Sequence, residues 1–256
     1  MRTLTVKDLC KTYVVNKRQN NVLKNINMEI HEGEMVAVMG PSGSGKSTLL
    51  YTVSGMDTAT AGSIDFFGKD LSRLKAKEMS EVRLNEMGFV FQQMHMLKNL
   101  TIYDNIILPA YQAAGGRGRS NRAKINEQAR ALMHKLQISE IAENGTNEVS
   151  GGQLQRACIC RSLINHPKML FADEPTGALN QQNSREVMHE LNRINAEGTT
   201  ILLVTHDVKV AAKSDRVLYI EDGSIKGEFT LGKFVSGTDT KDRERKLSNW
   251  LMEMGW

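Results

Sequence analysis

No apolar run in this chain approaches the ~18 residues a helix needs to span a bilayer. The opening residues, Met1-Arg2-Thr3-Leu4-Thr5-Val6-Lys7-Asp8, alternate like a strand and lack the apolar core of a signal peptide. These two absences predict a soluble, intracellular protein, in which any membrane role must come through a partner. Cysteine is scarce: only Cys10, Cys158 and Cys160 are present. An odd count, with two thiols two positions apart, fits neither a disulfide framework nor a zinc or redox spacing. Reduced packing thiols in a cytosolic protein are expected instead. An excess of one charge is also missing. The 33 basic and 29 acidic residues leave a net charge of +4, too mild to argue for nucleic acid by itself. There is no internal repeat and no low-complexity tract. What remains is 256 residues, 40% of them hydrophobic and 24% charged, which suits one sizeable core with a smaller lobe.

Against that background one segment stands out. Gly40-Pro41-Ser42-Gly43-Ser44-Gly45-Lys46-Ser47-Thr48 fits the phosphate-binding pattern G-x-x-x-x-G-K-[ST]. A plain Gly/Ser turn would satisfy the same letters. The flanks decide against it: Glu34 to Met39 reads as a buried strand entering the loop, and Lys46 to Val53 as a helix leaving it. Glycines let successive N–H groups face one anion, and the helix N-terminus adds partial positive charge. In that pattern Lys46 reaches the β- and γ-phosphates and Ser47 holds Mg²⁺.

Strands are expected over Leu4–Tyr13, Val22–Ile30, Met35–Met39, Gly62–Gly68, Met87–Gln92, Lys168–Glu174 and Thr200–Thr205. A hairpin of Arg216–Glu221 and Ser224–Phe229 turns at Asp222-Gly223. Helices are expected over Glu78–Asn85, Asn126–Leu136, Leu154–Ile164 and Gln181–Asn195. From His95 to about Pro167 the pattern is helical. Strands alternating with helices imply an α/β core with a mainly parallel sheet. The division expected is a core of about 1–94 and 166–235, an inserted α-helical subdomain of about 95–165 and a C-terminal helical tail of about 239–256. The N-terminal strands form an antiparallel β-subdomain.

Three further clusters carry chemistry. Asp173 and Glu174 end an apolar strand, where they read either as solvated carboxylates or, given the phosphate loop, as a pair with separate tasks. Adjacent strand residues face opposite ways, so Asp173 is assigned to Mg²⁺ and Glu174 to the attacking water. His206 ends a second apolar strand. In a parallel sheet that end shares an edge with the phosphate loop, within reach of a γ-phosphate. Ser150-Gly151-Gly152-Gln153 opens a helix and reads as a second anion site, or as an ordinary N-cap and turn.

Taken together, these residues resemble the ATP-binding-cassette ATPases, with motifs in the family's order from residue 13 to 206. Tyr13, in Lys11-Thr12-Tyr13, resembles the aromatic that stacks on adenine. Gln92, in Gly88-Phe89-Val90-Phe91-Gln92, resembles the Q-loop glutamine, which implies a catalytic role and contact with Mg²⁺. Val149–Gln153 resembles the signature, with valine where leucine is usual. Met169–Glu174 resembles the Walker B strand and catalytic glutamate, and His206 the switch histidine. The resemblance implies a P-loop NTPase core and hydrolysis of ATP with Mg²⁺. It also implies a second copy paired head to tail, Ser150 and Gly152 facing the γ-phosphate held by the other copy, and a transmembrane permease partner on the inner face of the cell membrane. Asn180 departs from the family, whose D-loop usually has aspartate there. Phosphate binding should survive that change, while coupling and hydrolysis rate are where it would tell.

Gly88–Gln93 and Ala172–Leu179 narrow the resemblance to the branch serving macrolide export, lipoprotein release, cell division and antimicrobial-peptide resistance. Efflux or resistance of the peptide (bacitracin- or lantibiotic-like) or macrolide type is the function this implies. Lipoprotein release, cell-division mechanotransmission and a soluble non-transport cassette are the alternatives. No coiled-coil insertion between residues 49 and 149 and only one cassette in 256 residues weigh against DNA repair and ribosome action. In the tail, Leu247, Trp250, Leu251 and Met254 share one helical stripe, which docks either on the chain's own domain or on a partner. The basic loop with Arg117, Arg119, Arg122 and Lys124 reads as a solvated face or as an approach to anionic lipid.

Overall fold

The computed structural model describes residues 2–115, 119–235 and 240–256, so Arg117 of the basic loop lies outside the described residues. Two compact units make up the chain: residues 1–79 with 192–256, and residues 80–191.

In the first unit, β1 (Arg2–Val15) and β2 (Arg18–His31) form a long hairpin. Its turn residues Asn16 and Lys17 both take positive φ, 51° and 63°, as a two-residue hairpin with the native twist requires. β4 (Ala61–Phe66) and β5 (Lys69–Asp70) extend this antiparallel sheet in the order β2-β1-β4-β5. The strands are longer than the sequence suggested. Register shifts between Val6 and Leu9, and around Lys11, break the alternation by which strand ends are recognised.

β3 (Met35–Met39) is buried at every residue and lies parallel to both β8 (Thr200–Val204) and β9 (Arg216–Glu221). Both faces of such a strand are covered, which is why these segments read as unbroken apolar runs. β9 turns at Asp222 and Gly223 (φ 48° and 77°) into β10 (Ser224–Thr230). Helix α1 (Lys46–Val53) follows β3 and seals Leu49, Leu50 and Val53 completely. The short α7 (Val208–Ala211) and the tail helix α8 (Thr240–Glu253) complete this unit.

The tail docks on its own unit. Leu247 and Leu251 are fully buried. Trp250 stacks on Phe229 at 5.3 Å between ring centroids and meets Tyr219 edge-on at 6.4 Å. Gly227 makes room for it: a Cβ there would come 2.9 Å from the Trp250 ring and 3.0 Å from Met254. Of the stripe, Trp250 and Met254 thus face the β9–β10 hairpin, while Leu247 and Leu251 are buried in the same unit.

The second unit holds β6 (Met87–Phe91) parallel to β7 (Met169–Asp173), with α3 (Ile102–Ala113), α4 (Arg119–Lys135) and α5 (Gly151–Leu163). The chain passes between units within α2 (Ala76–Glu86) and α6 (Gln181–Ala196). α5 lies close against β6, because a Cβ on Gly88 would fall 2.7 Å from the Ser162 carbonyl and 2.3 Å from Leu170. Cys158 and Cys160 are buried free thiols. Burial pushes the Cys158 pKa up to about 11 and that of Cys160 further still, so neither is a nucleophile at neutral pH. No helix among the described residues is long and apolar enough to cross a membrane.

Candidate active site

The first unit builds a phosphate-shaped loop at one sheet edge. Gly40 follows β3 with φ 155°, and a Cβ on it would lie 2.0 Å from the Ile220 carbonyl oxygen of β9, so no other residue fits. Gly43 (φ 78°) and Gly45 (φ 103°) supply two more positive-φ turns. Nothing stands within 4 Å of a Cβ at Gly43, so the backbone there is open to an incoming group. Lys46 Nζ donates to the carbonyls of Gly40 at 2.9 Å and Pro41 at 2.8 Å, which folds its charge over the loop. Ser44 is buried, and its Oγ has no hydrogen-bond partner. Ser42 is exposed, while Ser47 and Thr48 are half-buried on the first turn of α1.

Register brings His206 to the same edge. Val38 of β3 is opposite Val204 of β8, and the Thr205 N–H donates to the Val38 carbonyl at 3.2 Å. Gly40 and His206 each lie two residues beyond that pair. His206 is exposed, beside Asp207, which caps α7.

Tyr13 stands on β1 with 37% of its surface exposed. Its hydroxyl donates to Asp57 Oδ2 at 2.5 Å, and Lys11 Nζ lies 4.6 Å from its ring centroid. Lys11 also donates to Asp57 Oδ1 at 2.6 Å and to the Thr58 carbonyl at 2.7 Å. Burial and the Asp57 carboxylate push the Tyr13 pKa up, against a hydrogen bond with the Thr48 side chain that lowers it. Asp57 is raised by burial, but Lys11, the Tyr13 hydroxyl and the Thr58 N–H outweigh that and hold it below its ordinary value. Lys11 and Asp57 were not singled out from the sequence. They are 46 residues apart, and only the folded hairpin joins them.

In the second unit, β6 and β7 run in register with Phe91 opposite Asp173, so Gln92 and Glu174 are each one step past that pair. Asp173 is 9% exposed. Glu174 has φ 47°, a left-handed conformation costing an L-residue roughly 1–2 kcal/mol. That turn carries its carboxylate off the strand direction. A Cβ on Gly177 would lie 3.0 Å from Gln92 Nε2 and 3.4 Å from Glu174 Cβ, which places these three residues together.

Ser150 caps α5. Its Oγ accepts from the Gln153 N–H at 3.3 Å, and Gln153 Oε1 accepts the Ser150 N–H at 3.0 Å, a reciprocal capping box. The helix therefore starts at Gly151, three residues earlier than the sequence suggested, with both glycines inside its first turn. Gly151 is exposed and Gly152 buried. A Cβ on Gly152 would come 2.7 Å from Asn183 Cγ. Asn183 in turn donates its N–H to Asn180 Oδ1 at 2.9 Å, so Asn180 caps the start of α6. Asn183 also escaped notice in the sequence. The Asn-x-x-Asn spacing ahead of a helix is the cue that would have found the pair.

The ABC transporter family profile matches residues 23–177. The chain belongs to the ABC transporter family. Among curated relatives this cassette is 43% identical over 216 residues to the uncharacterized ABC transporter ATP-binding protein YknY of Bacillus subtilis (strain 168), covering 84% of the chain and 91% of that protein. It is 40% identical over 226 residues to the macrolide export ATP-binding/permease protein MacB of Psychrobacter arcticus, covering 88% of the chain but 33% of MacB. The cassette thus spans about a third of the MacB length. Among solved structures it resembles the dimeric bacterial cassette MJ0796, at 36% identity and TM-score 0.83, over 90% of this chain and 100% of that one. A post-hydrolysis state of MJ0796 bound to ADP and Pi aligns with TM-score 0.80 at 35% identity. The fold is that of an ABC ATPase, α/β with parallel and antiparallel sheets, and the chain is an ATP-binding ATPase cassette.

Among the described residues no group of three or more His, Cys, Asp or Glu could hold a metal ion. Mg²⁺ needs less: it takes one or two carboxylates with phosphate and water oxygens. Ser47 in the first unit, and Gln92 and Asp173 in the second, each carry an oxygen of the kind it takes.

Proposed function

We propose that this cassette hydrolyses ATP to drive a transmembrane permease, in efflux or resistance of the macrolide type. The phosphate loop carries the proposal. Three positive-φ glycines, Lys46 turned back over the Gly40 and Pro41 carbonyls, and a buried Ser44 Oγ with no other partner suit a triphosphate. Gly40, Ser42, Gly43, Ser44, Gly45, Lys46, Ser47 and Thr48 wrap the phosphates, and Tyr13 stacks on the base. Ser47, Asp173 and Gln92 hold Mg²⁺, which supplies charge neutralisation on the phosphate oxygens. Glu174 takes the proton of the attacking water, Gln92 orients that water, and His206 hydrogen-bonds the γ-phosphate. The placement of Glu174 beside Gln92, on a turned backbone, favours that division.

A second copy completes the site. Ser150, Gly151, Gly152 and Gln153 face nucleotide held by the other copy in a head-to-tail dimer, in line with the dimeric state of MJ0796. The permease partner and the macrolide class rest on the likeness to MacB, whose name joins an ATP-binding part and a permease in one protein. That partner places the cassette on the inner face of the cell membrane, with residues 95–165 as a lobe distinct from the nucleotide core.

Glu174→Gln tests the chemistry. ATP binding should persist, hydrolysis should fall by at least a hundredfold, roughly the range seen when an acid–base group is lost, and the protein should elute as a dimer with ATP. Hydrolysis at the wild-type rate in this variant would move the base to another residue.

A further inference from the structure

We propose that Lys11 and Asp57 are positioning residues that strengthen binding of the nucleotide's base by fixing the Tyr13 ring. The inference rests on the reading of Tyr13 as the base-stacking residue and goes beyond it.

Two contacts converge on this half-exposed ring. The hydroxyl is held by Asp57 at 2.5 Å. Lys11 stands over the ring at 4.6 Å. Lys11 is itself fixed, 8% exposed and bound to Asp57 and to the Thr58 carbonyl. Asp57 is anchored by its backbone, since its N–H donates to the Tyr51 carbonyl of α1 at 3.0 Å. Through Asp57 the ring is thus tied to the C-terminal end of the helix that begins at the phosphate loop. An exposed tyrosine normally swings about χ1, and holding it costs binding energy when a ligand arrives. Here the ring is ordered in advance.

The cation adds direction. With an ammonium on one face, a base stacks only on the other. A ring polarised by a cation on its far side also presents an electron-poor face, which favours large, electron-rich purines over pyrimidines.

The test compares two probes by calorimetry on the full chain with Mg²⁺ present: ATP and inorganic tripolyphosphate, which has no base. Variants are Asp57→Asn, Lys11→Met, Lys11→Arg, Tyr13→Phe and Tyr13→Ala. Asp57→Asn, Lys11→Met and Tyr13→Phe should each weaken ATP about tenfold, the size of one charge-assisted contact, while tripolyphosphate affinity holds within twofold. Lys11→Arg should recover most of the ATP affinity lost in Lys11→Met. Equal losses for both probes, with a lower melting temperature, would reduce the cluster to a fold support and overturn the proposal. If Tyr13→Ala weakens ATP but Asp57→Asn and Lys11→Met do not, stacking survives and the tether fails. If Tyr13→Ala leaves ATP affinity unchanged, the stacking reading itself is wrong, and the proposal goes with it.

Discussion

Arg243 is the clearest single handle on the tail. From α8 its Nε donates to the Ala212 carbonyl at 2.8 Å and its Nη1 to Leu231 at 3.0 Å. Its Nη2 reaches both Ser214 at 2.7 Å and Gly232 at 3.0 Å. One guanidinium therefore serves four backbone carbonyls from two loops, with the Phe234 ring 5.5 Å away. Burial lowers its pKa and Asp215 only partly restores it, but a guanidinium stays charged throughout the working range. Arg243→Ala leaves four acceptors without donors. A hydrogen bond from a charged group is worth ~1.5–3 kcal/mol, and four from one group are far from additive, so the loss should be about 3 kcal/mol. For a chain of this size 1 kcal/mol moves the melting temperature by ~2–4 °C, which predicts a drop of roughly 6–12 °C. Arg243→Lys keeps the charge and the stem but has a point donor in place of a fork. It should retain about a third of the lost stability. Calorimetric melting of the three proteins side by side gives the answer. A lysine variant as stable as wild type would refute the argument, because charge alone would then be enough.

Other outcomes follow from the same geometry. Gly152→Ala should destabilise by ~1–3 kcal/mol through overpacking against Asn183, and Asn183→Ala in the same chain should recover part of that, read as a double-mutant cycle in urea. Asn180→Ala should cost about 1 kcal/mol as a lost helix cap, while Asn180→Asp should be neutral in urea melts. Glu34 pairs with Arg216 at 2.7 Å, both largely buried. Burial raises the Glu34 pKa, but Arg216 and the His31 N–H outweigh it, leaving the folded value below the ordinary one. A depressed carboxylate stabilises the fold above its unfolded pKa and loses that contribution as the pH falls through its folded pKa. Melting curves of wild type and Glu34→Gln should therefore differ at neutral pH and converge in acid.

The parts legible in the sequence were those set by local rules. The phosphate loop, the buried strands on either side of it, the Asp222-Gly223 hairpin and the tail stripe each carry their signal within a few residues. The long first hairpin was only partly visible. Its turn is Asn16-Lys17, without the glycine that marks most such turns, and its register shifts scramble the period of two. Asn180 looked like a lost charge in a coupling loop; folded, it is a helix cap, a task asparagine performs as well as aspartate. Lys11 and Asp57 were invisible for a different reason. Nothing local distinguishes a lysine that will be buried from one that will face water, and the contact that buries this one spans 46 residues.

Both tryptophans of the sequence, Trp250 and Trp256, lie against Tyr219. Tyr219 sits opposite Met39, the residue that leads into the phosphate loop. Selectively excited emission therefore comes from a single address in the molecule. The rest of the protein is dark at that wavelength, so any spectral change on adding nucleotide would be a signal carried from the loop, through one strand pair, to the tail.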